Sequence, residues 1–133
     1  MSTLIRTEIS KRNQYYIPKH RYLELKHFCL QYKDFKRIYN DLCEKIPGGI
    51  ILENDYGSVS EDQRLYVRER YLDKINLIEE CCFMADKIIG PYILKAVTEE
   101  LTYSSLRLKG IPCCKDKYYE LYRKFFFILS YKR

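Results

Sequence analysis

Near its C-terminus the chain sets Tyr118, Leu121, Tyr122, Phe125, Ile128 and Leu129 at i, i+3, i+4, i+7, i+10 and i+11, the spacing that gathers side chains on one helical face. A strand would send neighbouring members of this set to opposite sides, so the rings can be buried together only by a helix. The same period recurs upstream. Pro18 suits a first helical position, where its missing N–H costs nothing, and Tyr22, Leu25, Cys29 and Tyr32 follow on one face with Phe28 beside them. Asp34 reads as the N-cap of a second helix that carries Phe35, Ile38, Tyr39, Leu42 and Ile46 until Pro47-Gly48-Gly49 stops it. The two form a predicted helical hairpin over 17–46.

The stretch from Pro47 to Gly57 is a loop; Ile50-Ile51-Leu52 within it finds no partner strand elsewhere. Ser60 and Gln63 have the capping-box spacing, and Val67, Tyr71, Ile75, Ile78, Cys82 and Ala85 make a stripe with Leu65 and Leu72 beside it. A long central helix over 60–86 is expected, roughly 37 Å from end to end. Asp86 caps a further helical stretch that Gly90-Pro91 interrupts. After it, Thr102 caps a short helix closed by Gly110, and Ile111-Pro112-Cys113-Cys114 turns the chain into the last helix. The expected fold is all-α: a single compact domain, 1–133, of five or six helices, ending in a helix-turn-helix-like unit over 87–131.

Charge is distributed unevenly. Residues 1–46 carry ten Lys/Arg against five Asp/Glu, residues 47–90 five against nine, and residues 91–133 nine against four. The ends are basic and the middle acidic, within a net charge of +6. No apolar run reaches the ~18 residues of a membrane span, and the N-terminus lacks a signal peptide's apolar stretch, so a soluble, cytoplasmic protein with no membrane partner is expected. The six cysteines form no C-x-x-C pair, which points to reduced thiols rather than a zinc site or a disulfide framework. His20, Glu24 and His27 share one helical face, but no fourth ligand accompanies them, and neither a metal nor a cofactor is expected. Cys113 and Cys114, beside Lys115 and ahead of a helix N-terminus, have the electrostatics of an activated thiol. Neither histidine lies nearby as a base, and the chain reads as a non-enzyme.

A short capped helix, a glycine-containing turn and a longer helix with a basic outer side is the order of parts in a helix-turn-helix, whose second helix enters the DNA major groove. Lys115, Lys117, Tyr119, Glu120, Arg123 and Lys124 fall outside the apolar stripe and are the candidate nucleic-acid-binding residues. Cations there suit phosphate, and Glu120 suits a cytosine amine. Arg123→Ala is expected to weaken binding to double-stranded DNA and flatten its salt dependence.

The run Leu101-Thr102-Tyr103 through Gly110-Ile111 to Tyr118-Tyr119-Glu120-Leu121-Tyr122-Arg123-Lys124 resembles the C-terminal helix-turn-helix of phage transcription regulators of the ArpU/RinA type, itself similar to region four of sigma factors. Ile17-Pro18-Lys19-His20-Arg21-Tyr22 through Gln31-Tyr32 is similar to small prophage proteins of Gram-positive bacteria. The resemblance implies a DNA-binding regulator, with the N-terminal hairpin as support or as the surface of a homodimer. Two registers are open. With Gly110 as the turn glycine, Leu106 takes a place usually held by a small residue and Asp116 the apolar docking place; docking by Tyr118 instead needs a turn two residues longer.

A second reading treats the C-terminal helices as core and the acidic middle as a working surface. The chain is then a phage-encoded protein-interaction module, such as an inhibitor of a host nucleic-acid or defence (anti-CRISPR-like) enzyme.

Overall fold

The structure is a computed structural model and describes residues 13–43 and 61–133. The hairpin's end at Ile46, the Pro47-Gly48-Gly49 stop, the loop to Gly57 and the Ser60 half of the capping box lie outside these residues. Among the described residues there are six α-helices and no strand: α1 (Lys19–Leu30), α2 (Tyr32–Cys43), α3 (Glu61–Ala85), α4 (Gly90–Glu99), α5 (Tyr103–Leu108) and α6 (Lys115–Lys132). The all-α expectation is met. Two compact units are distinguishable, Tyr32–Asn76 and the remainder, and each is described in turn.

In the larger unit α1 packs on α4 and α6, and α4 packs on α6. Pro18 lies just ahead of α1 as its N-cap, and its carbonyl accepts the Tyr22 N–H at 2.9 Å. Tyr22, Leu25, Phe28 and Cys29 are buried, the face that the 3.6-residue period assigns. Tyr22 meets α6 twice, its ring edge-on to Phe126 at 4.9 Å and its hydroxyl 2.7 Å from that of Tyr122. Arg21 closes the far end of α6: Nε donates to Ser130 Oγ at 3.2 Å and Nη2 to the Ser130 carbonyl at 2.9 Å. A guanidinium satisfies a carbonyl that the last helical turn leaves open.

The C-terminal part of α3 buries Ile78, Cys81, Cys82 and Ala85. Asp86 ends this run, its Oδ2 accepting the N–H groups of Ile88 and Ile89 at 2.9 and 2.8 Å. Gly90-Pro91 was expected to interrupt a helix; instead it begins α4, with proline in the first turn, where no N–H is needed. Glycine is required there because a Cβ at Gly90 would lie 2.9 Å from the carbonyl oxygen of Cys82.

In the smaller unit α2 starts at Tyr32, two residues before the expected N-cap Asp34. Asp34 falls in the first turn, where a carboxylate suits the positive end of the helix dipole, and it pairs with Arg37 at 3.6 Å. Arg64 Nε donates to the Leu42 carbonyl at 2.9 Å near the end of α2. The Phe35 and Tyr71 rings lie 5.9 Å apart, with the Lys74 ammonium over both at 5.2 and 4.8 Å. Leu65, expected beside the α3 stripe, is exposed.

Candidate nucleic-acid interface

The region singled out by sequence begins where α4 stops. Glu100 takes the left-handed conformation (φ 56°), and Leu101 N–H bonds back to the Ala96 carbonyl at 3.2 Å. Thr102 then caps α5, its Oγ1 accepting the Ser105 N–H at 3.3 Å, as its place in the sequence implied. α5 ends in a Schellman motif. Gly110, at φ 89°, donates to the Arg107 carbonyl, and Ile111 N–H to the Leu106 carbonyl, both at 3.1 Å. The apolar contact that accompanies such an ending is available, since Leu106 and Ile111 are both buried.

Six residues separate α5 from α6. Two tyrosines hold this connection by its backbone: Tyr103 OH donates to the Cys113 carbonyl at 2.7 Å and Tyr92 OH to the Gly110 carbonyl at 3.3 Å. The Tyr103 ring also lies 5.7 Å from that of Tyr118. Tyr118 is 1% exposed and packs into the body of the unit, whereas Asp116 lies on the surface.

α6 buries a broader arc than the stripe indicated. Phe126 is fully buried with Phe125, 4.8 Å away, whereas Ile128 is half-buried. Adjacent positions point about 100° apart, so burying both rings leaves a narrower outer side. Along that side the six candidate residues are not equivalent. Lys115 and Lys117 are exposed at the leading end. Glu120 is half-exposed and 3.9 Å from Lys117. Tyr119 is half-buried against the Tyr118 and Tyr122 rings at 5.0 and 6.2 Å. Arg123 and Lys124 are half-buried, and Arg123 Nε is closed to solvent without a hydrogen-bond partner.

One turn beyond Arg123, other rings lie against this side. Phe127 carries the ring of Tyr15 at 5.6 Å, and Tyr131 at 5.0 Å. Sequence reasoning missed Tyr15; the available signal was Phe127 itself, an aromatic residue on an otherwise polar side. Arg107 and Lys109, exposed around the α5 ending, were also missed, although the basic count of the last third included them. Arg133, one of the cations of the last third, lies over the Phe28 ring at 3.9 Å.

The thiol expectation is corrected at Cys113. Burial pushes Cys113 up rather than down, with Cys114 and Asp86 adding to the effect and Lys117 opposing it. Among the described residues no three metal-ligating side chains converge, and Glu24 pairs with Arg21 at 2.7 Å. No described helix is long and apolar enough to cross a membrane. A separate feature lies at the end of α3: Phe83, Met84 and Ile88 are 51%, 51% and 70% exposed, and the first two line a shallow depression with Asp86 and Lys87. Comparison of the chain with known protein families, with curated proteins and with solved structures returns no match.

Proposed function

We propose that the chain is a phage-type transcriptional regulator that binds double-stranded DNA through a helix-turn-helix formed by α5 and α6. The observation that carries the reading is the group of exposed cations around the connection, Arg107, Lys109, Lys115 and Lys117. They belong to the part of the unit that would approach phosphate, and the N-terminal end of α6 adds its own positive dipole. The carboxylates nearby, Asp86, Asp116 and Glu120, are fewer than these cations. The resemblance to ArpU/RinA-type regulators supports the same reading. On it, Lys115 and Lys117 hold phosphates while Glu120 faces base edges.

The test is binding of the full chain to a mixed-sequence duplex, followed by fluorescence anisotropy across a salt series. Affinity should fall steeply with salt, and Lys115→Ala with Lys117→Ala should reduce the slope of log K against log salt by about 0.9 for each phosphate no longer neutralised. Absence of binding at ~50 mM salt, or an unchanged slope in the double variant, would remove this reading.

The exposed Phe83, Met84 and Ile88 favour a second reading, a protein-interaction module, because apolar side chains clustered at the surface mark contact sites. A chain that ignores duplex DNA but is retained by a host protein, and loses that partner on Ile88→Asp, would fit this reading instead.

A further inference from the structure

The outer side of α6 is exposed at Lys115 and Lys117 and half-buried at Arg123 and Lys124, and a defined piece of the same chain lies against it at Phe127. Asn13 builds a turn ahead of α1, its Oδ1 accepting the Tyr15 N–H at 2.8 Å and its carbonyl the Tyr16 N–H at 3.0 Å. Ile17, 4% exposed, anchors the downstream end of the segment. Between turn and anchor, Tyr15 is set on Phe127, tilted 59° to it. One turn before Phe127 on α6 is Arg123, whose buried Nε has no partner. A guanidinium N–H kept from water and from any acceptor is disfavoured, and a phosphate oxygen is the acceptor it pairs with most strongly.

Resting on the DNA-binding reading, we infer that the segment 13–17 is an autoinhibitory strap: with Tyr15 seated on Phe127 it withholds Arg123 from the DNA backbone, and its displacement exposes one further phosphate-binding group. Duplex DNA then favours the displaced state by that additional pairing, and strap and DNA compete for the same side of α6.

The experiment compares wild type, Tyr15→Ala and Tyr15→Phe, each with and without Arg123→Ala, on the same duplex and salt series, with circular dichroism reporting the fold. Tyr15→Ala should steepen the salt slope by about 0.9, one phosphate, whereas Tyr15→Phe keeps the ring and should match wild type. Arg123→Ala should remove more slope from Tyr15→Ala than from wild type. If Tyr15→Ala proves unfolded, Asn13→Ala, which loosens only the turn, replaces it with the same expected direction. An unaltered slope in the strap variants, or an equal effect of Arg123→Ala in both backgrounds, overturns the strap while binding through Lys115 and Lys117 stands. Failure of every protein, wild type included, to bind overturns the DNA reading and the strap together.

Discussion

Gly90 and Gly110 are both indispensable in principle, for opposite reasons. At Gly90 the backbone conformation is ordinary, and the constraint is steric, a Cβ 2.9 Å from Cys82 O, backbone against backbone where neither can yield alone. At Gly110 nothing lies within 4 Å of a Cβ, and the constraint is the dihedral, φ 89°. Overpacking a fixed site costs about 1–3 kcal/mol, while an alanine in a glycine-type conformation costs nearer ~1 kcal/mol. Gly90→Ala should therefore lower the melting temperature more than Gly110→Ala; the reverse order in thermal denaturation would show that α4 can slide off α3. The sequence announced the second glycine, at the end of a capped apolar run. It misdirected on the first, because Gly-Pro breaks a helix in progress and starts one equally well, and only the path of α3 decides which.

At the scale of elements, α5 is instructive. It is a helix of six residues, Tyr103–Leu108, too short to persist alone, since nucleation is costly and few hydrogen bonds follow. It is held by Thr102 at one end, a Schellman ending at the other, and Leu106 and Tyr103 against its neighbours. Thr102→Ala leaves the Ser105 N–H without its cap and should cost about 0.5–2 kcal/mol. With that cap lost, amide exchange should rise in α5 and the connection, which carry Arg107 and Lys109, before it rises in α6. Exchange increasing uniformly through both helices would contradict this. Cap and turn were legible locally, as their chemistry lies within a few residues. Which residue at the start of α6 is buried was not: Asp116 and Tyr118 both follow a turn glycine at 110, and it is the Tyr118 ring that packs beside Tyr103.

For the whole molecule, the groups most perturbed by burial are neutral thiols and phenols. Burial pushes Cys81 up to about 11 from an ordinary 9.0, Glu80 adding and Lys132 opposing. Cys29, Cys82, Tyr118 and Tyr122 are raised as well, burial again being the main cause. A folded state that keeps protons the unfolded chain has released loses stability as pH rises. In reducing buffer the melting temperature should be level up to about pH 9 and fall between about pH 9 and 11, the interval between the two Cys81 values. A melting temperature that holds or climbs through that interval would show these groups to be solvated. What the chain determined by itself is what depends on neighbours in sequence: helical periods, caps, the basic ends and the pairing of a short helix with a long one. Which side of α6 stays open was decided only in three dimensions. Periodicity identifies the side that must be buried, but whether the opposite side meets water or a distant tyrosine depends on where residue 15 comes to rest, almost the whole chain away from the helix it covers.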